Sequence, residues 1–285
     1  MHKNKVFPYL LLLPFLVLFG LFKTLPIIYT FIESVVNIDD NGIFLVLFKN
    51  IDIMINDNLF WKSLTNTLII FLIYIVIKFF LIFIVSNLLE DIKHNKLYLL
   101  ILYLPNIIGL FAYAIIFRYI FTYHGVLNNV FDSLFGLRID WLGNSWNSRV
   151  MLSIATLWGS LGFYTLLYFN SLRNIPKTYF EVFSINGGNS FQKLVFLQIP
   201  LTIPVIKTII FMSLIEIIAL IEIPMNLTMG GPNRSTITIS YYVYIQAIEY
   251  ANFSYAATLG LMIMLFGFLI FYIKKPKGEF LYEIN

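Results

Sequence analysis

Five ionisable side chains, Lys23, Lys78, Lys207, Glu216 and Glu222, fall within or beside long apolar stretches of this chain. A charge in hydrocarbon is costly, so such groups face a cavity or a partner and are candidate site residues by default. A carboxylate is a strong hydrogen-bond acceptor, which suits Glu216 and Glu222 to lining a polar path. The competing reading pairs each of them with a basic group across a subunit boundary. Lys78 lies deep in its stretch and either pairs with another subunit or lines a path. Lys207 lies near the end of its stretch, where its stem can snorkel and bring the ammonium to water. Asn226 and the rings of Tyr164 and Tyr168 are further candidates for the same path. In a chain with 18 Tyr and 29 Phe, a lipid- or helix-facing role competes for those rings.

Catalysis finds no support. His2, His94 and His124 lie outside the apolar stretches and far apart, and the chain has no cysteine. Thiol chemistry, disulfides and thiolate metal sites are therefore excluded, and no metal site is expected. Gly159-Ser160-Leu161-Gly162 is not the G-x-S-x-G elbow of a serine hydrolase. The chain also lacks the G-x-x-x-x-G-K-[ST] loop that cradles nucleotide phosphates.

The elements that must position these residues follow from composition. The chain is 59% hydrophobic and 12% charged, with a mean hydropathy of +0.83. A soluble domain carries about 25% charged residues, so this chain belongs in a membrane. A bilayer core needs about 20 apolar residues per helix. Six stretches qualify: Pro8–Ile32, Asn66–Leu89, Leu97–Ile120, Val150–Leu172, Leu201–Ile223 and Tyr255–Ile273. The first has no small-x-small cleavage site and reads as a retained span.

Under this threading Lys3, Lys5, Lys93, Lys96, Arg173, Lys177, Lys193, Lys274, Lys275 and Lys277 fall on one side. The denser basic side is cytoplasmic, which puts both termini inside. Trp61, Trp141 and Trp146 lie at the opposite ends, as an outer aromatic belt would. The net charge of +4 is scattered around the apolar runs and does not indicate nucleic acid. The reading is one all-α membrane domain, residues 1–285, with its core at 60–275.

The polar interruption at residues 173–199 is longer than a chain reversal needs. Pro176 can occupy the first position of a helix, or Thr178 can cap it with Glu181 completing a capping box. Either way a short helix begins near Lys177. Gly187 supplies a left-handed residue to end it, and Asn189 with Gln192 can start a second helix bearing Phe191, Leu194 and Val195 on one face. Pro200 and Pro204 follow as the chain re-enters the bilayer. This cytoplasmic helix–turn–helix between spans four and five is either an interfacial anchor or a helix-in-groove contact for a soluble partner.

These residues carry a resemblance. Glu181-Val182-Phe183-x-Ile185-Asn186-Gly187-Gly188, with Phe191, Ile199-Pro200 and Pro204, resembles the E-A-A-x-x-x-G loop of ABC importer permeases. Phe60-Trp61-Lys62-Ser63-Leu64-Thr65-Asn66-Thr67, Phe117-Arg118-Tyr119, Gly125-Val126-Leu127-Asn128, Trp141-Leu142-Gly143, Trp158-Gly159-Ser160-Leu161-Gly162 and Leu227-Thr228-Met229-Gly230-Gly231-Pro232 are similar to motifs of the maltose-transporter-like subgroup. They occur in order over Pro8 to Ile273. Departures fall in the loop, where Val182-Phe183 stands for Ala-Ala, Asn186 for Asp and Gly188 for Ala.

The resemblance implies a permease subunit of an ATP-driven carbohydrate importer in a bacterial cell membrane, working by alternating access. It implies a sister permease, two ATP-binding cassette subunits that bind the ATP, and an extracellular or periplasmic solute-binding protein; the chain itself would need no cofactor. The loop, through Tyr179, Phe180, Glu181, Phe183, Asn186, Gly187, Phe191 and Pro200, would couple ATPase closure to the spans. Glu222 matches an acidic residue of these importers, and Glu216, Glu222, Asn226 and Tyr164 would line the substrate path. Gly230-Gly231-Pro232, most simply a tight turn, would touch the binding protein or form an outer gate. The alternative is an ion-coupled secondary transporter of a small polar solute, which would work as this chain alone.

Overall fold

The computed structural model describes residues 7–39, 42–90, 92 and 95–273. In chain order its elements are α1 (Phe7–Phe19), α2 (Leu25–Val35), strands β1 (Val36–Asp39) and β2 (Gly42–Leu45), α3 (Leu47–Asn56), α4 (Asn58–Glu90), α5 (Asn95–Ile107), α6 (Leu110–Phe121), α7 (Val126–Phe135), α8 (Ser145–Arg173), α9 (Lys177–Ile185), α10 (Ser190–Lys193), α11 (Ile199–Ile218), α12 (Glu222–Leu227), α13 (Ile239–Tyr244) and α14 (Phe253–Ile273). The chain is nearly all helical. Among the described residues five helical stretches are long and apolar enough to cross a membrane: Leu11–Val35, Asn58–Glu90, Leu110–Phe135, Ser145–Arg173 and Ser190–Ile218. Lys96–Ile107 and Phe253–Phe268 are apolar but shorter.

Two of the expected continuous spans are interrupted. The stretch Leu97–Ile120 divides into α5 and α6 around Ile108 and Gly109. Pro105 has no N–H to offer the Ile101 carbonyl, and Gly109 is extended at ψ 140. The stretch Leu201–Ile223 divides at Ala219–Ile221. Pro224 cannot donate to the carbonyl of Leu220, and the Thr238 hydroxyl donates to it instead at 2.5 Å. In a membrane, broken helices persist only where the freed backbone groups are satisfied inside protein or at a cavity.

The chain divides into two compact units. One draws on Met1–Asn58 and Val243–Asn285, where α14 packs on α2 and α3. Asn50 joins them, donating to Ser254 and Thr258 on α14 at 3.0 and 3.1 Å. The other, Leu59–Tyr242, holds the candidate site. Its core gathers Ile70 and Tyr74 of α4, Tyr113 of α6, Leu152 and Ala155 of α8, and Ile217 and Ile223. A second cluster, with Ile82, Tyr168, Leu172 and Ile209, continues along the same helices.

Glycines bring the helices of this unit close. A Cβ at Gly162 would collide with the backbone of Leu102 on α5, and one at Gly159 would come within 2.7 Å of the Tyr113 hydroxyl. The Gly159–Gly162 segment is thus a close-packing surface of the small-residue kind that membrane helices use.

Candidate functional site: a carboxylate at two interrupted helices

Glu216 lies one turn before the break in α11. Three donors converge on its Oε2: Tyr74 Oη at 2.7 Å, Tyr164 Oη at 2.9 Å and Lys78 Nζ at 3.2 Å. They come from α4 and α8, so one oxygen ties three long helices together. Lys78 is 0% exposed, whereas the Glu216 side chain is 26% exposed. The ammonium is satisfied on every side, donating to Ser213 at 2.8 Å and lying 3.3 and 4.0 Å from the Tyr164 and Tyr74 ring centroids. A buried cation needs such partners.

Lys78 therefore has its counter-ion in its own chain, 138 positions away, and neither it nor Glu216 needs a second subunit for charge balance. Tyr164, for which a lipid-facing role competed, is buried against this pair.

The exposed side of Glu216 opens into a cavity of about 250 Å³ lined by Asn106, Ile107, Ile108, Gly109, Leu110, Tyr113, Gly159 and Ser160. The cavity sits at the α5–α6 break and one turn from the α11–α12 break. Asn106 donates to the Gly159 carbonyl at 3.2 Å, and Ser160 Oγ lies 2.7 Å from Tyr74 Oη. The arrangement offers a carboxylate, a hydroxyl and an amide on apolar walls, the usual make-up of a small-molecule site. Glu222 opens α12, is exposed and does not line this cavity. Asn226 turns back to donate to the Glu222 carbonyl at 2.7 Å. The four residues assigned to a path thus divide into Glu216 with Tyr164, and Glu222 with Asn226.

The segment 173–199 forms two short helices. α9 begins at Lys177 with Pro176 at its N-cap, so Pro176 is one place earlier than a first-turn proline and Thr178 makes no cap. Gly187 is left-handed at φ 77. The second helix starts as its residues predict, with Asn189 accepting from the Gln192 N–H at 2.8 Å and Gln192 accepting from the Asn189 N–H at 3.0 Å.

Phe180 packs inward against the core cluster of Tyr168 and Ile209. Tyr179, Glu181, Val182, Ile185, Asn186, Phe191 and Pro200 are exposed. An open cleft of about 710 Å³ runs between the helices past Tyr179, Val182, Phe183, Gln192 and Phe196. The segment's exit is anchored to the end of α4, by Lys193 to Glu90 at 3.1 Å and Gln198 to Asn87 at 2.9 Å. Residues Leu194–Gln198 are wound as a π-helix that leads into α11, a form often found at functional sites.

The substitutions in this segment have local reasons. A Cβ on Gly188 would overlap the Phe183 ring, so the ring at 183 lies where it does because 188 is glycine. The Asn186 side chain donates to the Val182 carbonyl at 2.8 Å, closing the helix end. An aspartate could not donate there and would place its charge against the free carbonyls.

The segment 227–238 is held by a residue whose role the sequence did not disclose. Asn66 donates to the carbonyls of Arg234 and Ile237 at 2.8 and 3.2 Å and accepts from Arg149 at 2.7 Å. Arg149 in turn donates to the Ser235 carbonyl at 3.0 Å. The turn is tight, with Gly230 at φ 78, a cis Gly231–Pro232 peptide and the Gly231 N–H bonded to the Thr228 carbonyl at 3.0 Å. Asn128 does the same for the segment after α6, bonding Tyr123, Ile139 and the Trp141 indole. Trp141 thus serves a hydrogen-bond network, while Trp61 and Trp146 are exposed. The signal for both asparagines was their place in the ordered motifs.

No family model matches the chain. It is 32% identical over 233 residues to the lactose transport system permease protein LacF of Rhizobium radiobacter, covering 78% of each chain. It is 24% identical over 274 residues to the arabinooligosaccharides transport system permease protein AraP of Halalkalibacterium halodurans, covering 94% of this chain and 86% of that one. Its fold matches the crystal structure of a chain of a bacterial ABC transporter that imports alginate, with a TM-score of 0.79, 19% identity and coverage of 95% and 94%. The expected likeness therefore holds along the chain, and this multi-pass membrane protein belongs to the family of permease subunits of ATP-driven carbohydrate importers.

Proposed function

We propose that the cavity at Glu216 is a section of this permease's sugar path and that the segment 173–199 delivers the movement that opens and closes it. The observation carrying the reading is a carboxylate, held by three donors, facing a polar-edged cavity where two long helices are interrupted. The lactose and arabino-oligosaccharides of the relatives' names are rich in hydroxyl groups, which a carboxylate can accept from.

On this reading residues 1–285 act as one domain with six spans and both termini cytoplasmic. The helix–turn–helix seats in a groove of an ATP-binding cassette subunit, presenting Ile185 (85% exposed) and Phe191 (72% exposed). A sister permease completes the path, two such ATPases bind the ATP, and a periplasmic or extracellular binding protein delivers the sugar; the alginate importer is known in complex with a periplasmic protein. The Gly230–Pro232 turn is the contact proposed for that protein.

The test is ATP-driven uptake of lactose in proteoliposomes of the complete transporter, with ATP hydrolysis measured alongside. Gly187→Pro removes the left-handed turn and should abolish uptake in an assembled complex. Gly159→Leu fills the cavity and should abolish uptake while the 173–199 segment still docks. ATP-independent uptake by this chain alone would sink the reading.

A further inference from the structure

Glu216 uses only half of its carboxylate. Tyr74, Tyr164 and Lys78 all donate to Oε2. Among the described residues Oε1 has no hydrogen-bond partner, while Glu216 itself lines the cavity. The ion pair is neutral overall but is not neutral as seen from the cavity. Lys78 is wholly buried behind two tyrosine rings, and the carboxylate stands in front.

We propose that Glu216 sets a charge selectivity on the path: Oε1 accepts a hydroxyl of an uncharged sugar, and the same group rejects sugars bearing a carboxylate. This rests on the reading of the cavity as the sugar path. A second negative charge brought about 4 Å from Glu216 is repelled more strongly than the farther ammonium attracts it. At an effective dielectric of about 20 the imbalance disfavours an anion by roughly tenfold or more. Lys78 is a positioning residue here, since it and the two tyrosines fix Oε2 and leave Oε1 turned outward. Ser160 and Asn106, on the same wall, are neutral and do not offset the carboxylate.

The chain has no cysteine, so the cavity can be probed without knowing the transported sugar. In the complete transporter an Asn106→Cys variant is labelled with an uncharged and an anionic methanethiosulfonate of matched size, and the rate on this chain is followed by mass spectrometry. The anionic reagent should react at least tenfold more slowly than the neutral one, after normalising to an exposed control at Leu137→Cys, which lies between two membrane-crossing stretches. That discrimination should vanish with Glu216→Gln. Because this change leaves Lys78 unpaired, the neutral pair Lys78→Met with Glu216→Gln is made as well and should behave alike.

Equal rates for the two reagents in the Glu216 protein, or discrimination surviving both variants, would overturn the inference and leave the path reading standing. If neither reagent reaches position 106 with or without ATP turnover, the cavity is not a wet path. Both readings then fall.

Discussion

The contact between Phe183 and Gly188 gives the sharpest test of the 173–199 segment. A Cβ on Gly188 would overlap Cε1 and Cδ1 of the Phe183 ring and lie 2.6 Å from Cζ. Only Gly136, Gly187 and Gly230 among the described glycines have positive φ, so the backbone at 188 accepts alanine and the whole cost is steric. Gly188→Ala must push the half-buried ring out of its place beside the turn. Overpacking of this kind costs about 1–3 kcal/mol. Phe183→Ala alone loses about 1 kcal/mol, half the value of a fully buried phenylalanine. In the double variant the clash is gone, so Gly188→Ala should add almost nothing to Phe183→Ala. The coupling energy should equal that steric cost, about 1–3 kcal/mol, a factor of roughly 5 to 160 in affinity. The assay is a double-mutant cycle on the affinity of the nanodisc-embedded permease for its ATPase subunit, with uptake measured in parallel. Simple additivity, or a Gly188→Ala change as harmless alone as beside Phe183→Ala, would refute the argument.

Three further outcomes follow from other contacts. Asn66→Ala removes two donated bonds and one accepted bond at once and leaves Arg149 half-paired; it should lower the thermal stability of the permease by about 2–3 kcal/mol, read from the melting transition in detergent. Lys78→Met alone strands Glu216 and should destabilise the chain by about 3–5 kcal/mol, whereas Lys78→Met with Glu216→Gln should recover most of that loss, measured in the same melts. Cysteines at positions 87 and 198, where Asn87 and Gln198 now bond, joined by a short bifunctional thiol reagent, should leave uptake intact if α4 and α11 move together and stop it if they slide.

The helical membrane class was legible because it rests on composition and run length, which are local. The interruptions were partly marked, by Pro105 and Pro224, but a proline in an apolar run also fits a kinked continuous helix. What decided the second break was Thr238, whose hydroxyl reaches Leu220 from 18 residues on. The same distance in sequence hid the site. Lys78 and Glu216 each showed as a costly charge, yet nothing local to either names the other as partner. Tyr74 gave no sign at all in a chain with so many aromatic residues. In the 173–199 segment the turn glycine and the second cap were legible, because φ and capping are set by neighbours a few residues apart. The first cap was not, since both proline and threonine offered plausible starts and the chain uses Pro176 as the cap itself, two residues before Thr178 and one place before the first helical position.

If the segment 173–199 drives the path as proposed, its anchoring contacts limit how it can do so. Pro200 and Pro204 suggest a hinge at the base of α11, about which that helix would swing alone. Yet α11 is bound to α4 near its base by Gln198 and Asn87, and again near its far end by Glu216 and Lys78. Tyr164 adds α8 to the second contact. A swing of α11 by itself would break a buried ion pair and strand both charges, a loss of about 3–5 kcal/mol. Moving α4, α8 and α11 as one body keeps every one of these bonds. The π-wound turn Leu194–Gln198 is fastened to α4 on both sides, through Lys193 and Glu90 just before it and through Gln198 and Asn87 at its close, so it travels with that body. On the proposed reading of the path, Glu216 keeps its three donors through the transport cycle, and selectivity at the carboxylate is the same whichever side the path is open to.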